Sequence, residues 1–202
     1  MQKRFPFHLL AGFSAFAILC GCVAPTADII RTLYDPAIAN LRLSNILVIS
    51  AAGDYPERLR VEQEVASALT TDRTTATPYF AIVGRNAQIT RNLINTAIRS
   101  RQFDGVLIVR VQGQDVPNAA PGRPTGRNFH LFLYDYAEFN QPSALPANVT
   151  IAFNTEFYTT WNEKKVWAID SLTFDHKTTE EALTLQIESI VSQVQRDRLT
   201  AN

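Results

Sequence analysis

The chain has 202 residues, and 19 lysine and arginine side chains balance 19 aspartate and glutamate side chains. A chain of this length suits one domain with a single hydrophobic core. The lack of a basic excess argues against general nucleic-acid binding, which requires cationic side chains facing the phosphates.

The first 21 residues have the three parts of an export signal. Lys3 and Arg4 supply positive charge, the stretch from Leu9 to Leu19 is apolar, and small residues follow. A transmembrane helix needs about 20 apolar residues, so this stretch is too short to span a bilayer comfortably. We expect residues 1–21 to be a cleaved signal peptide.

The junction Leu19-Cys20-Gly21-Cys22 resembles the bacterial lipobox, in which two small residues separate an aliphatic residue from an acylated cysteine. The resemblance implies cleavage after Gly21 and lipidation of Cys22, where each buried methylene contributes about 0.8 kcal/mol to membrane partitioning. Cys20 fits less well, because Leu19 would then precede the cut. Val23 replaces the aspartate of an inner-membrane retention signal, which favours the periplasmic face of the outer membrane.

Processing leaves 17 basic and 19 acidic side chains, a formal charge of −2. It also removes Cys20, so no disulfide can form within the mature domain, and the thiol of Cys22 is consumed by lipid. Only His130 and His176 remain of the histidines, too few for a zinc site of the usual Cys/His kind. We therefore expect no cofactor.

Residues 22–44 are expected to form a lipidated tether that packs in part on the domain, with a possible helical turn from Ile29 to Tyr34. About 20 extended residues at ~3.3 Å each reach roughly 70 Å, so the domain could stand well off the bilayer. A single domain then covers residues 45–202.

The first half of that domain predicts a βαβαβ unit. Short apolar runs indicate strands buried on both faces, as in a parallel sheet, and apolar residues at helical spacing separate them. The predicted strands are Asn45–Ser50, Tyr79–Val83 and Gly105–Val111, and the predicted helices are Glu57–Thr70 and Gln88–Arg101.

The second half predicts an antiparallel three-stranded meander and a final helix. Apolar and polar residues alternate in Phe129–Tyr134 and Val149–Tyr158, the pattern of half-buried strands. A third strand, Lys165–Leu172, follows a hairpin-sized connection at Trp161–Lys164. Thr178-Thr-Glu-Glu181 fits a capping box that starts the last helix. The predicted fold class is a mixed α/β domain.

Together with the lipobox, several motifs resemble those of a family of uncharacterised bacterial envelope lipoproteins. They are Ile46-Leu-Val-Ile49, Asp104-Gly-Val-Leu-Ile-Val-Arg110, Glu163-Lys-Lys-Val-Trp-Ala168 and Leu172-Thr-Phe-Asp175. More distantly, the layout is similar to the amino-terminal domain of TolB and to the curli-secretion lipoprotein, whose α/β domains serve assembly at the outer membrane. The chain lacks an obvious long amphipathic hairpin that would build a pore. The resemblance therefore implies a fold and an envelope location, and not a secretion channel.

The loop Ala51-Ala-Gly-Asp-Tyr-Pro-Glu57 follows the first predicted strand, where open α/β sheets usually bind ligands. Asp54 and Arg58 are the candidate partner-binding residues there. The loop has one glycine and no phosphate-binding motif, so a capped start of the helix is the alternative.

A second candidate is the long polar connection Gln112–Asn128, where Arg123 and Arg127 could bind a partner's carboxylate or phosphate in bidentate geometry. Disorder is the alternative. His130 and His176 have no serine or cysteine nucleophile near them in sequence. We therefore interpret His130 as a surface residue of a strand and His176 as a residue at the start of a helix.

Three functions remain open. The preferred hypothesis is a non-enzymatic lipoprotein that binds an envelope protein or component during assembly, transport or maintenance. The second is an oligomerising subunit of a secretion or transport complex, assembled through strand edges or through the 112–128 connection. The third is a hydrolase or ligand-binding enzyme that uses Asp54 or His130.

Overall fold

The computed structural model describes residues 26–35, 40–52, 54–114, 145 and 149–201. Within them, six strands form one mixed sheet in the order β1-β6-β5-β4-β2-β3, accompanied by four helices. The strands are β1 (Thr26–Tyr34), β2 (Asn45–Ala51), β3 (Thr75–Pro78), β4 (Gly105–Gln114), β5 (Ile151–Thr159) and β6 (Lys165–Phe174). The helices are α1 (Tyr55–Leu69), α2 (Phe80–Val83), α3 (Arg91–Arg101) and α4 (Thr179–Arg196). The predicted mixed α/β class is confirmed.

The parallel part of the sheet has β2 between β3 and β4, and it follows from the continuous apolar run that opens the domain. Successive side chains of a strand point to opposite faces. Ile46 and Val48 therefore enter a larger core shared with α1 and α4, while Leu47 and Ile49 enter a smaller core shared with α3. Because both faces of β2 are covered, its run is apolar at every position rather than alternating.

The prediction of a strand at Tyr79–Val83 is wrong. The strand is Thr75–Pro78, and residues 80–83 form the short helix α2. Pro78 suits the end of an edge strand because it has no amide hydrogen to donate. The amide of Phe80 donates to the buried carboxylate of Glu62 at 2.9 Å, which draws the chain away from the sheet.

Helix α3 begins where a side-chain cap places it. Thr90 accepts a hydrogen bond from the amide of Leu93 at 3.3 Å, so α3 starts at Arg91 instead of the predicted Gln88. Ile89 remains buried, but in the segment before the helix. An N-cap that satisfies a free amide stabilises a helix by about 1 kcal/mol.

The final helix, α4, is confirmed. Thr178 accepts from the amide of Glu181 at 3.1 Å, and the carboxylate of Glu181 accepts from the amide of Lys177 at 2.7 Å. Its inner stripe covers the larger core with Ala182, Leu183, Ile187, Ile190 and Val194. No helix in the described ranges is long and apolar enough to cross a membrane.

The antiparallel part of the sheet pairs β4 with β5 and β5 with β6, and the predicted connection between the last two strands is confirmed. The other predicted meander strand, Phe129–Tyr134, lies outside the described residues. The half-burial expected for β5 is wrong, since all nine of its residues are buried. Phe153 and Phe157 occupy the larger core, while Asn154 and Glu156 are buried on the opposite face.

The helical turn expected from Ile29 to Tyr34 is also wrong, because residues 26–34 form the edge strand β1. It pairs antiparallel with β6, from Thr26 opposite Phe174 to Tyr34 opposite Trp167, with a bulge between Ile29 and Arg31. Ile29 and Tyr34 pack against the larger core. This part of the expected tether therefore belongs to the sheet.

Candidate functional site

The first candidate site lies where β2 ends and α1 begins, at the carboxyl ends of the parallel strands. Asp54 accepts from the amide of Glu57 at 3.3 Å, and the carboxylate of Glu57 accepts from the amide of Asp54 at 2.8 Å. The two residues form a complete capping box. Desolvation raises the pKa of the Glu57 carboxyl, and the bond from the amide of Asp54 opposes this rise. Asp54 thus has the capping role that was the alternative to ligand binding.

Arg58, the second sequence candidate, is buried and makes internal contacts. Its Nε lies 3.3 Å from Oε1 of Glu62, and its Nη2 donates to the carbonyl of Ala87 at 3.1 Å. The guanidinium carbon also lies 5.7 Å from the ring centre of Tyr79 and 6.0 Å from that of Tyr55. Cation–π contacts at this range are favourable, more so where water is excluded. Arg58 therefore connects α1 with the segment before α3.

Glu62 is the central acid of this site, and sequence reasoning missed it. Its side chain is fully buried, with Oε1 accepting from the amide of Ser50 at 3.2 Å and Oε2 from the amide of Phe80 at 2.9 Å. Desolvation raises its pKa to about 7, against the lowering effects of Arg58 and the two amides. The available signal was a glutamate four residues after Arg58 on the inner stripe of a predicted helix.

Tyr79 borders the site on the side of α3. Its ring is buried in the smaller core, and its hydroxyl donates to the carbonyl of Gln88 at 3.1 Å. Desolvation raises the pKa of Tyr79 to about 12, which Arg58 partly opposes. The phenol therefore stays protonated at neutral pH, whereas the carboxyl of Glu62 titrates there.

A second polar cluster lies on the face of the sheet opposite α4. Its members come from three adjacent strands and are Arg110, Asn154, Glu156, Tyr158, Lys165 and Asp170, all buried. The register aligns Arg110 opposite Asn154 and Asn154 opposite Asp170. Side chains on one face of adjacent strands are close enough to bond directly.

Glu156 is the centre of this second cluster. Its Oε1 lies 2.9 Å from Nζ of Lys165, and its Oε2 lies 3.2 Å from Nη2 of Arg110 and accepts from the hydroxyl of Tyr158 at 2.8 Å. Asn154 accepts from Arg110 at 2.6 Å and donates to Asp170 at 2.8 Å. Among the described residues, two cations thus balance two carboxylates, an arrangement that fixes strand register. The sequence signal was the alternation of Asn154 and Glu156 on one predicted strand.

The other sequence candidates are Arg123, Arg127, His130 and His176. Arg123, Arg127 and His130 lie outside the described residues, and His176 is buried just before α4. Within the described part of the chain, no group of three or more histidine, cysteine, aspartate or glutamate side chains is placed to hold a metal ion.

No protein-family model and no curated protein matches this sequence. Among solved structures, the chain is similar to a PelC dodecamer of Paraburkholderia phytofirmans carrying one substitution, with 15% identity and a TM-score of 0.46 over 88% of this chain and 100% of that chain. A second PelC dodecamer from the same organism gives 12% identity and a TM-score of 0.44, with the same coverage.

Proposed function

We propose that the chain is a non-enzymatic lipoprotein, anchored in the outer membrane through Cys22, whose domain faces the periplasm and binds an envelope protein or component. The observation that carries the proposal is the lipobox at residues 19–22 followed so closely by β1, which begins at Thr26. A cleaved chain would start at the acylated residue, and the sheet would begin four residues later.

This spacing holds the domain close to the bilayer. Four residues extend at most about 14 Å, far less than the reach of a tether of 20 residues. Thr26, at the start of β1, lies opposite Phe174 at the end of β6, and Gln114, at the end of β4, lies opposite Ile151 at the start of β5. Because β5 and β6 are antiparallel and β2 and β4 are parallel, the start of β1 lies at the same end of the sheet as the carboxyl ends of β2 and β4. The capped start of α1 would therefore be on the membrane side of the domain.

The non-enzymatic part of the proposal is supported by how the charged groups of the first site are used. Asp54 caps a helix, and Arg58 and Glu62 bond each other and the backbone. A hydrolase needs a base within hydrogen-bonding reach of a nucleophile or water at an accessible position. The acid that titrates near neutrality at this site is instead fully buried and holds two backbone segments together.

The experiment is acyl labelling of the full-length chain expressed in a bacterium. Cys22→Ser is compared with Cys20→Ser, a matched control that changes the other cysteine of the same junction. We expect wild type and Cys20→Ser to incorporate fatty acid and to sediment with outer membranes, and Cys22→Ser to do neither. Incorporation by Cys22→Ser, or its absence from the wild type, would overturn the anchor.

A second candidate function is an oligomerising subunit of a secretion or transport complex. The observation that favours it is that β1 pairs with β6 alone among the described strands, and an edge strand can pair with another chain. Sedimentation of the detergent-solubilised protein over a hundredfold concentration range tests it. A mass that stays at one protomer throughout would remove this candidate.

A further inference from the structure

The end of the sheet opposite the start of β1 carries a concentration of exposed positive charge. This distal end consists of the amino ends of β2, β3 and β4, the hairpin between β5 and β6, and the connections beside them, which are residues 40–45, 70–75, 99–104, 160–164 and 197–201. Among these described residues the exposed acid is Asp72. The exposed cations are Arg42, Arg73, Arg99, Arg101, Lys164 and Arg198.

Hydrogen bonds join three of these connections into one surface. The amide of Asp104 donates to the carbonyl of Asn45 at 2.9 Å, and the carbonyl of Asp104 accepts from the amide of Thr160 at 3.1 Å. The side-chain amide of Asn45 donates to the carbonyl of Arg101 at 2.6 Å. The start of β2, the end of α3 and the hairpin are therefore held in fixed relative positions.

Two of the partly buried acids of the distal end bond the protein itself. The carboxylate of Asp104 accepts from the amides of Ser44 at 2.8 Å and Asn45 at 3.0 Å. The carboxylate of Asp197 accepts from the indole of Trp167 at 2.7 Å. Because these carboxylates are engaged internally, the exposed charge of the distal end is predominantly positive.

The hairpin adds an exposed aromatic ring to this positive surface. Trp161 is 59% exposed, the largest value among the large hydrophobic residues described. Its turn is held by Asn162, whose Oδ1 accepts from the amide of Lys164 at 3.1 Å and from the hydroxyl of Thr159. A ring on a rigid turn loses little conformational freedom on binding. The negative face of an indole attracts the C–H groups of a sugar ring.

We propose that the distal end binds an acidic polysaccharide, whose carboxylates pair with the exposed arginine and lysine side chains while a sugar ring stacks on Trp161. The arginine fork binds a carboxylate in bidentate geometry, and several contacts along one polymer reinforce each other through effective concentration. The proposal deepens the proposed function by naming the binding surface and the class of envelope component. That this surface faces away from the outer membrane rests on the proposed anchor, whereas the binding itself does not.

Two simpler roles leave part of this surface unexplained. Cations in the last turn of a helix are favourable in themselves, which accounts for Arg99 and Arg101 at the end of α3. Arg42 and Lys164 lie outside the helices. An acidic protein segment would pair with the cations, but it would offer no flat ring of C–H groups to Trp161. The combination of spread cations and an exposed indole therefore favours a glycan.

The test uses three fluorescein-labelled probes: oligogalacturonate, its methyl ester without free carboxylates, and oligoglutamate with the same number of carboxylates as the first. Binding to the full-length protein in detergent is followed by fluorescence anisotropy. The distal variant is Arg101→Glu with Lys164→Glu. Its control is Arg91→Glu with Lys177→Glu, which makes the same charge change at exposed positions near the opposite end of the sheet.

We expect oligogalacturonate to bind wild type and control alike, and to bind the distal variant at least tenfold more weakly. The methyl ester should bind the wild type at least tenfold more weakly than the acid. Added salt should weaken binding of the acid, because salt screens exposed charges. Equal binding of acid and ester, equal binding to both variants, or no binding of the acid to the wild type would overturn the proposal.

Trp161→Ala separates a glycan from an acidic protein. It should weaken oligogalacturonate binding at least fivefold and leave oligoglutamate binding within twofold. Tyr55→Ala, which removes an exposed ring near the opposite end of the sheet, should change neither. Unchanged oligogalacturonate binding by Trp161→Ala, or oligoglutamate binding as tight as that of oligogalacturonate, would overturn the glycan and assign the distal end to an acidic protein.

Two controls keep these outcomes interpretable. Thermal melts by circular dichroism check that each variant folds, and Arg101→Gln with Lys164→Gln replaces the distal variant if it does not. Oligogalacturonate binding that is equal in Cys22→Ser separates this site from the anchor, whose failure appears only in acyl labelling.

Discussion

Glu62 gives a prediction that depends on one buried carboxyl. Its pKa rises from 4.5 to about 7 because desolvation outweighs the bonds from Arg58 and from two backbone amides. One pKa unit corresponds to 1.36 kcal/mol of free energy between protonation states. The rise therefore corresponds to roughly 3 kcal/mol of unfolding free energy that depends on pH.

The sign follows from which state binds the proton more tightly. The folded protein holds the proton of Glu62 up to a pH of about 7, whereas the unfolded chain releases it near 4.5. The folded state therefore binds more protons between these values, and stability falls as pH rises through that window. The contribution is complete below pH 4.5 and lost above about pH 7.

The perturbation is Glu62→Gln, which removes the titration and nearly preserves the volume. Unfolding free energies of wild type and variant are measured by urea denaturation at intervals from pH 4.5 to pH 8. Subtracting the variant cancels groups common to both, including Glu57, and the difference should fall by about 3 kcal/mol as pH rises. A difference that is flat or that rises with pH would refute the reasoning, because the amides and Arg58 would then outweigh desolvation.

Substitutions at three further positions test packing and bonding by chemical denaturation. Glu156→Ala should lower the free energy of unfolding by about 3–5 kcal/mol, because it leaves two buried cations without their shared carboxylate. A loss under 1 kcal/mol would contradict the role given to this carboxylate. Gly105→Ala should cost about 1–3 kcal/mol, because the added Cβ would lie 2.6 Å from the ring of Phe157; an unchanged midpoint would mean that the ring moves aside. Asp54→Ala should lower stability by about 1 kcal/mol through loss of the cap, whereas Asp54→Asn should recover most of it, and equal losses would show that capping is not the cause.

The edge strands show why some elements could not be located from sequence. The apolar residues of segment 29–34 fit a helical turn as readily as a strand, and the choice was made by the open edge of β6, which lies far away in sequence. For β3, the apolar run began at Tyr79, but that ring fills the smaller core from outside the strand. In both cases pairing partners outweighed local pattern.

The candidate sites were predictable in part. The capping role of Asp54 followed from its position before a helical stripe, and the structure has that cap. The burial of Arg58 did not follow, because it depends on Tyr79, Ala87 and Glu62 meeting around its guanidinium. These contacts join residues of three different segments, and no spacing in one of them encodes the others.

The sequence by itself determined the α/β class, the apolar strands β2 and β4, the helices α1 and α4, and the hairpin between β5 and β6, because periodicity, caps and short connections act over neighbouring residues. Tertiary structure alone decided that β1 joins the sheet, that Glu62 is desolvated, and that Arg110, Glu156 and Lys165 share one buried face. These features depend on strand order and register, which bring together residues distant in the chain, and on the exclusion of water from the contacts they form.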